Sequence, residues 1–160
     1  MDKIYDVIIL GAGPGGLAAG IYAGRARLDT LLIEKGKDGG QIAITDEIEN
    51  YPGQMVDGES GPSLIERMTK QVEKFGAERV SDTIVSVDIE GPVKTLVGSN
   101  GTYKARTLII ATGAFPRPIG CKGEGEFMGK GVSYCATCDA SFFEDLEVFV
   151  VGGGDSAVDR

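Results

Sequence analysis

The sequence predicts an α/β protein with a parallel sheet, and three features near its N-terminus support this class. Val7-Ile8-Ile9-Leu10 is a continuous apolar run that ends at a glycine, as expected of a buried parallel strand. Residues 14 to 26 favour helix because alanine recurs among them. Thr30-Leu31-Leu32-Ile33 is a second apolar run, so the three segments together predict one compact βαβ unit.

The middle of the chain predicts a long loop, a helix and a half-exposed strand. Residues 36 to 62 are rich in Gly, Asp, Glu and Pro and show no period, which indicates the loop. Ser63-Leu64-Ile65-Glu66 matches a capping box, and Gly76 suits the end of the helix that the box opens. Apolar and polar residues alternate from Val85 to Ile89, which predicts the strand.

A hairpin and two further strands are predicted beyond this point. Asn100-Gly101 lies between two short strand-like stretches and indicates the hairpin. Leu108-Ile109-Ile110 predicts a buried strand, and Phe115-Pro116-Arg117-Pro118 predicts a linker because its prolines disfavour regular structure. Residues Glu147 to Val151 predict a last strand, after which the sequence reaches Arg160 in the expected first turn of a helix.

The composition narrows the class of protein. The chain has 160 residues, of which 42% are hydrophobic and 25% charged, as in proteins with a globular core. Its net charge of −8 argues against a nucleic-acid or anionic-membrane partner, since those surfaces attract basic patches. The sequence shows neither a signal-peptide pattern nor a membrane-spanning run, so we expect a cytoplasmic protein. In that compartment its three cysteines are typical of catalytic or metal sites.

Gly11-Ala12-Gly13-Pro14-Gly15-Gly16 fits the pattern G-x-G-x-x-G between a strand and a helix. In such a turn Gly11 allows the tight bend, Gly13 lets a pyrophosphate approach the backbone, and Gly16 lets helix and strand pack closely. Glu34 ends the next strand, where a carboxylate can bind ribose hydroxyls. The pattern predicts a dinucleotide site; the alternative is a glycine turn that binds nothing.

A second glycine turn follows the last predicted strand. Gly152-Gly153-Gly154-Asp155-Ser156-Ala157 fits G-x-G-x-x-A and suggests a second nucleotide. The acidic residue that would accompany this turn lies beyond Arg160, so the alternative of a turn without a ligand is stronger here.

Cys135-Ala136-Thr137-Cys138 has the spacing of a redox-active pair. If the second cysteine opens a helix, the helix N-terminus stabilises its thiolate, and Asp139 is placed to pass a proton to a departing thiolate. Half of a zinc site is the main alternative, but the chain has no histidine and only one further cysteine, Cys121, so another ligand type or another subunit would have to complete it. An inert buried pair is the other alternative, and Cys121 is expected to be a bystander in the linker region.

In chain order these motifs resemble the low-molecular-weight thioredoxin reductases of the pyridine nucleotide-disulfide oxidoreductase family. The resemblance covers the whole chain and is most specific at the cysteine motif. The elements that carry it are Gly11 to Gly16, Gly39-Gly40-Gln41, Glu49-Asn50-Tyr51-Pro52-Gly53, Ala111-Thr112-Gly113, Cys135-Ala136-Thr137-Cys138-Asp139 and Gly152 to Ala157.

The resemblance implies a Rossmann-like FAD-binding domain, incomplete in this chain, and the start of a second Rossmann-like domain that binds NAD(P). The expected first part of the FAD-binding domain is 1–115. The linker, the cysteine pair and the opening strand and turn of the NAD(P)H-binding domain are expected in 116–160. Family members continue through the rest of that domain and then return to complete the first, so we expect this chain to be a fragment or a natural short form.

Site residues are also implied by the resemblance. Glu34 is expected on the adenosine ribose and Val80 near the adenine. The full set of expected FAD contacts is Gly11, Gly13, Pro14, Gly15, Gly16, Glu34, Lys35, Gly39, Gly40, Gln41, Asn50, Val80, Thr112 and Gly113. The NADPH site is expected to begin with Gly152, Gly154, Asp155 and Ala157.

The implied function is a flavin-dependent disulfide reductase that passes electrons from NADPH through FAD to thioredoxin or a similar protein disulfide. Cys138 is expected nearer the flavin, Cys135 is expected to attack the partner disulfide, and Asp139 is the expected general acid. The resemblance implies a homodimer and implies no metal. Ferredoxin-dependent and oxygen-dependent dithiol relatives of the same fold remain alternatives, as does an FAD-binding module without turnover.

Overall fold

A computed structural model of the chain describes residues 3–55, 57–139 and 143–158, without the side chains of residues 137, 138 and 156. The chain forms two compact units, 1–114 and 115–160. In the first unit the elements are β1 (Ile4–Leu10), α1 (Pro14–Arg25), β2 (Thr30–Glu34), a 3-10 helix (Gly40–Ile44), α2 (Gly61–Lys74), β3 (Glu78–Ser81), β4 (Ile84–Asp88), β5 (Lys94–Gly98) and β6 (Thr102–Ile110).

The six strands form one sheet in the order β3-β2-β1-β6-β5-β4. Strands β3, β2, β1 and β6 run parallel, and β5 and β4 continue the sheet in antiparallel pairing. The predicted βαβ unit is therefore confirmed, with Val7 paired to Thr30 and Leu10 paired to Ile33. Because the parallel strands point the same way, their carboxyl ends meet at one edge of the sheet.

Apolar side chains cover both faces of the parallel strands. On one face Val7 and Ile9 pack against α1 and α2 through residues such as Leu17 and Met68. On the other face Ile8, Leu31 and Ile33 cluster with Leu96 of β5 and Ala105 of β6. These strands are buried on both sides, which explains why their sequences are continuous apolar runs rather than alternating ones.

Helix α2 begins earlier than the sequence predicted. Its N-cap is Ser60, whose Oγ accepts a hydrogen bond from the Ser63 N–H at 3.3 Å. The prediction of Ser63 as the cap was wrong because Ser63 already lies in the first turn, where its hydroxyl donates to Glu59 instead. The predicted end is confirmed, since Gly76 follows the helix with a φ of +80°.

The segment predicted as one long loop contains regular structure. Gly39 and Gly40 both adopt positive φ angles and lead into the 3-10 helix. Further along, the Ile48 N–H donates to the Glu59 carbonyl at 2.8 Å. A helix of this short type has no 3.6-residue period that a sequence pattern would reveal.

The hairpin at Asn100-Gly101 is confirmed, but the strand that follows it is longer than predicted. Leu108-Ile109-Ile110 is the end of the continuous nine-residue strand β6, not a separate strand. Ile109 and Ile110 are 40% and 68% exposed, so the expectation that this run is buried was wrong. The strand predicted near Val85 is confirmed as β4, although Val85 itself is exposed.

In the described part of the second unit lie the short helices α3 (Glu124–Phe127), α4 (Ala136–Asp139) and α5 (Asp155–Val158). Helix α5 confirms the helical turn expected near the end of the sequence. The strand predicted from Glu147 to Val151 is absent: these residues are exposed and adopt no regular structure. Among the described residues no strand lies beside them, and a strand without a neighbour lacks the hydrogen bonds that define it.

Helix α2, with 14 residues, is the longest helix in the described part of the chain. None of the helices described there is long and apolar enough to cross a membrane.

Candidate functional site

The glycine turn between β1 and α1 lies at the carboxyl edge of the parallel strands. Gly11 has a φ of +109°, and a Cβ there would lie 2.3 Å from the Ala111 carbonyl oxygen of the segment after β6. At Gly16 a Cβ would lie 1.8 Å from the Gly11 carbonyl oxygen. These two positions therefore exclude any side chain, which is the constraint expected of the first and last glycines in the pattern.

Gly13 and Gly15 differ from these two glycines because nothing crowds them. A Cβ at either position would meet no atom within 4 Å. Gly13 is the N-cap of α1, and no side chain caps or charges the first turn of that helix. The free N–H groups at the start of a helix attract anions, so the turn offers a phosphate both space and donors.

Glu34 lies at the end of β2, beside this turn. Its Oε2 accepts from the Ala12 N–H at 2.9 Å, and its Oε1 accepts from the Gly36 N–H at 3.1 Å. These bonds hold the carboxylate in place at the edge of the sheet. Because each carboxylate oxygen has two lone pairs, both oxygens retain capacity to accept from ribose hydroxyls.

The Gly39-Gly40-Gln41 segment folds against the same turn. The Gly39 N–H donates to the Ala12 carbonyl at 2.8 Å, and a Cβ at Gly40 would lie 3.8 Å from the Gly13 Cα. The Gln41 side chain reaches the segment after β6, where its Nε2 donates to the Ala114 carbonyl at 3.4 Å. Four segments of the chain thus meet at one edge of the sheet.

Thr112 and Gly113 belong to the last of these four segments. They follow β6, both are exposed, and Gly113 has a φ of +69°. The Ala111 N–H before them donates to the Leu10 carbonyl at 2.8 Å, which fixes the segment beside the end of β1.

The remaining predicted FAD contacts occupy more varied positions. Pro14 is the first residue of α1, within the turn, and Lys35 is exposed directly after Glu34. Val80 pairs with Ile33 and packs against the second core cluster, one position before the carboxyl end of β3. Asn50 is exposed in the segment between the 3-10 helix and α2.

The residues present at this edge fit a dinucleotide. Open space lies over the N-terminus of α1, and backbone N–H groups rather than acidic side chains face it. A held carboxylate, Glu34, lies at the end of the adjacent strand, where a ribose would follow the phosphates. The backbone N–H groups suit the phosphates of such a ligand, and the Glu34 carboxylate suits its ribose hydroxyls.

The cysteine motif lies in the second unit. Cys135 is disulfide-bonded and precedes α4, whose Asp139 N–H donates to the Cys135 carbonyl at 3.0 Å. Cys138 lies within α4, and its side chain lies outside the described part of the structure. Helix α4 already begins at Ala136, so the second cysteine lies within this helix and does not open it.

Ser133 connects the two ends of this motif. Its Oγ accepts from the Cys135 N–H at 3.1 Å and lies 2.5 Å from Asp139 Oδ2 and 3.3 Å from the Cys135 carbonyl oxygen. A hydroxyl has one hydrogen to donate, and the shorter distance assigns it to the carboxylate.

A buried carboxylate supports the segment before the motif. Glu124 accepts from the Ile119 N–H at 2.9 Å, from the Gly120 N–H at 2.6 Å and from the Tyr134 hydroxyl. It thereby joins the residues around Cys121 to the residue that precedes Cys135. Cys121 itself is a free and exposed thiol.

The sequence analysis did not identify Ser133 or Glu124. Ser133 contacts Asp139 six residues away, and Glu124 contacts Tyr134 ten residues away. No periodic pattern in the sequence marks such contacts. The only available signal was the type of residue, a serine two positions before a cysteine pair and an acid after a glycine.

The second glycine turn has open space around its glycines. Gly152 has a φ of +129°, and a Cβ there would lie 3.6 Å from the Ala157 Cβ. Gly153 and Gly154 have no neighbour within 4 Å in the direction of a Cβ. The Ala157 N–H donates to the Gly154 carbonyl at 2.8 Å, and Asp155 is the first residue of α5.

Within the described residues, no three His, Cys, Asp or Glu side chains converge so that they could hold a metal ion.

Comparison with known proteins adds to this geometry. The family model of the pyridine nucleotide-disulphide oxidoreductases matches residues 5–160. The chain is 60% identical over 160 residues to the thioredoxin reductase of Peptoclostridium litorale. The aligned region covers all of this chain and 50% of that protein. The chain therefore spans about half the length of the curated relatives that it matches.

The chain is also similar to thioredoxin reductases of known structure. The crystal structure of thioredoxin reductase from Streptococcus pyogenes superposes with a TM-score of 0.90 at 44% identity, over 99% of this chain and 51% of that chain. A ferredoxin-flavin thioredoxin reductase from Clostridium acetobutylicum superposes with a TM-score of 0.64 at 29% identity, over 89% of this chain and 49% of that one. The predicted Rossmann-like α/β fold is confirmed by these neighbours.

Proposed function

Because the chain belongs to the pyridine nucleotide-disulphide oxidoreductase family, we propose that it carries the FAD-binding turn and the redox-active pair of a flavin-dependent disulfide reductase. The proposed reaction takes electrons from NADPH, by way of FAD and the Cys135/Cys138 pair, to thioredoxin or a similar protein disulfide. The observation that carries the proposal is a disulfide-bonded Cys135 in a C-x-x-C motif between two glycine turns.

The nucleotide part of the proposal rests on the edge of the parallel sheet. The proposed FAD contacts are those that the sequence predicted, from Gly11 to Gly113. The phosphates would lie on the N–H groups around Gly13 and Gly15, and Glu34 would accept from the adenosine ribose. Bound FAD supplies a two-electron carrier between a reduced nicotinamide and a disulfide.

The chemistry of the pair itself is thiol–disulfide exchange. One thiolate of the reduced pair attacks a partner disulfide, and the second thiolate then resolves the mixed disulfide. We assign the attack to Cys135 and the electron-accepting position to Cys138. Asp139 is the proposed general acid, because its backbone and side chain are both tied to the Cys135 segment.

The remaining assignments follow from the family resemblance and the order of the motifs. Residues 116–160 are proposed to begin the NADPH-binding domain, with Gly152, Gly154, Asp155 and Ala157 at the nucleotide. Residues 1–115 are proposed as the first part of the FAD-binding domain. Homodimerisation is proposed from the family resemblance, and a cytoplasmic location from the use of the cysteines as a redox pair.

Electron transfer under anaerobic conditions tests the function. The full-length protein that contains this chain is reconstituted with FAD, offered NADPH, NADH or reduced ferredoxin in turn, and assayed for free thiols on thioredoxin. Reduction with NADPH is expected. Cys135→Ser should abolish it while leaving the flavin absorbance intact, and Cys121→Ser should change neither. If no donor drives thioredoxin reduction, the proposed reductase is wrong.

The same experiment separates the alternatives. Reduction with ferredoxin alone would indicate the ferredoxin-dependent variant, which the Clostridium acetobutylicum neighbour favours. In a separate assay in air without an electron donor, closure of a small-molecule dithiol with consumption of oxygen would indicate a dithiol oxidase. A flavin spectrum without turnover from any donor would indicate a module that only binds FAD.

A further inference from the structure

The hydroxyl of Ser133 holds the two ends of the redox motif together. It accepts from the Cys135 N–H at 3.1 Å and donates to Asp139 Oδ2 at 2.5 Å, so one side chain links the first cysteine of the pair to the residue that follows the pair. Ser133 is exposed, and it does not fill a core position whose loss would collapse the unit.

This arrangement limits where the carboxyl group of Asp139 can lie. Its backbone is fixed by the bond from the Asp139 N–H to the Cys135 carbonyl, and its side chain by the bond from Ser133. With Oδ2 occupied by the Ser133 hydrogen, Oδ1 is the oxygen left to carry or release a proton.

We propose that Ser133 is the positioning residue that holds the Asp139 carboxyl beside the cysteine pair for proton transfer to the thiolate that leaves a partner disulfide. The proposal rests on the proposed function in one respect, the role of Asp139 as general acid. Ser133 itself transfers no proton.

The proposed exchange transfers two electrons from the cysteine pair to the partner disulfide. The Cys135 thiolate attacks one sulfur of the partner disulfide, the partner S–S bond breaks, and the first partner thiolate leaves with the electron pair and takes the proton of Asp139. Asp139 then removes the proton of Cys138, whose thiolate attacks the Cys135 sulfur and releases the second partner thiolate. That thiolate takes the same proton from Asp139, so the pair has lost two electrons and the partner has become two thiols.

The leaving thiol provides a direct test, because only a basic thiolate needs a proton in order to leave. Hydroxyethyl disulfide releases a basic alkyl thiolate, whereas dithiobis(nitrobenzoate) releases a stabilised aromatic thiolate that departs unaided. All proteins carry Cys121→Ser so that only the pair reacts. The pair is reduced with a phosphine, the phosphine is removed, and exchange with each disulfide is timed.

Ser133→Ala is expected to slow exchange with hydroxyethyl disulfide about tenfold, the scale of a hydrogen bond to a charged group. Exchange with dithiobis(nitrobenzoate) should stay within about twofold, because that leaving group needs no acid. Ser133→Thr keeps the hydroxyl and should restore the rate. Ser86→Ala, the same change at an exposed serine of β4, is the control and should have no effect.

A double-mutant cycle tests whether Ser133 acts through Asp139. Ser133→Ala is expected to add no further slowing in an Asp139→Asn background. Three results would each overturn the proposal: a full effect of Ser133→Ala in that background, equal slowing with both disulfides, or no effect of Ser133→Ala at all. No flavin, nucleotide or thioredoxin is present, so failure of the proposed reductase activity would not alter these rates.

Discussion

Two glycines in one turn illustrate how residues of the same type perform different tasks. Gly16 is constrained from inside the protein, since a Cβ there would overlap the Gly11 carbonyl oxygen. Gly13 has open space around it and a φ of −72°, which any residue can adopt. The first is required by the fold, and the second is free to serve a ligand.

Alanine substitutions separate these two tasks. Gly16→Ala is expected to lower the free energy of unfolding by about 3 kcal/mol, because the turn must open to admit a methyl group. Gly13→Ala should leave that free energy within about 0.5 kcal/mol and weaken FAD binding about tenfold or more, because the methyl group occupies the space above the donors. Urea unfolding and titration of flavin fluorescence measure the two quantities. Equal loss of stability in both variants would contradict this division.

Asp82 is a buried carboxylate that fastens the start of the antiparallel strands. It accepts from the Thr83 N–H at 2.7 Å, from the Asn100 N–H at 3.1 Å and from the Tyr103 hydroxyl at 2.8 Å. Burial by itself raises the pKa of Asp82, but the bonds from Tyr103 and the backbone outweigh burial and hold that pKa below its ordinary value.

Because the pKa of Asp82 is lowered in the folded state, the free energy of unfolding is expected to fall on acidification. The contribution of Asp82 is complete above the ordinary aspartate pKa of about 3.9 and is lost as the pH falls through the lower pKa of the folded state. Tyr103→Phe removes one donor, so it should destabilise the chain at pH 7 and weaken the loss on acidification. Urea unfolding at pH 7 and below pH 4 measures both effects.

Tyr22→Phe is the matched control for this prediction, since Tyr22 is 73% exposed. It should leave stability unchanged at both pH values. If Tyr103→Phe and wild type lose the same stability on acidification, the hydroxyl of Tyr103 does not set the pKa of Asp82.

At the scale of elements, the start of α2 depends on a single hydroxyl. Ser60 Oγ accepts the Ser63 N–H, which satisfies one of the donors left over in the first turn. Ser60→Ala is expected to lower the free energy of unfolding by about 1 kcal/mol, and Ser60→Asn should restore most of it because asparagine also caps helices well.

Thermal and urea unfolding of these two variants test the assignment of the cap. A loss of stability in Ser60→Ala that Ser60→Asn does not recover would show that the hydroxyl acts in some other way. Ser63 is unsuitable as a control, since its own hydroxyl donates to Glu59 at 3.0 Å.

The sequence predicted elements well where burial imposes a long pattern. The runs around Ile9 and Leu32 are buried on both faces, so their composition alone indicates parallel strands. The turn at Gly11 was predictable for the same reason, since steric limits allow only glycine there. Local rules succeeded wherever a single residue type could satisfy the geometry.

The sequence was insufficient where a contact partner decides the outcome. Residues 147–151 are as apolar as a strand, but among the described residues they have no neighbour to bond with. Ser60 and Ser63 are both good caps, and the bond from the Ile48 N–H to the Glu59 carbonyl, just ahead of the helix, places the first turn at Gly61. The contact between Ser133 and Asp139 could not be predicted, because no spacing rule shows where the Asp139 side chain lies.

At the scale of the whole molecule, β4 leaves one side of the sheet unprotected. It is an edge strand, and Val85 and Val87 are 68% and 40% exposed, with Ile89 beyond them at 60%. An exposed apolar edge is a template for pairing with another chain. We therefore expect the 160-residue chain to self-associate as its concentration rises.

Substitution of these two valines should reduce the association. Val85→Thr combined with Val87→Thr keeps the β-branched shape that favours strands while making the strand more polar. Sedimentation velocity over a range of concentrations should show less association for the pair than for wild type. Ser86→Thr, an exposed position between the two valines, is the control and should behave as wild type. An unchanged sedimentation profile for the double variant would exclude β4 as the contact.

The continuous strand β6 predicts an order of events as the chain folds. Residues 102–105 pair with the nearby β5 across the Asn100-Gly101 turn, and residues 104–110 pair with β1, from Ile4↔Lys104 to Leu10↔Ile110. The hairpin closes a short loop quickly, but the pairing with β1 must close a loop on the order of a hundred residues, which is slower. We therefore expect the edge where Gly11 meets Ala111 to assemble late, so that the ability to hold a nucleotide arises only in the last stage of folding.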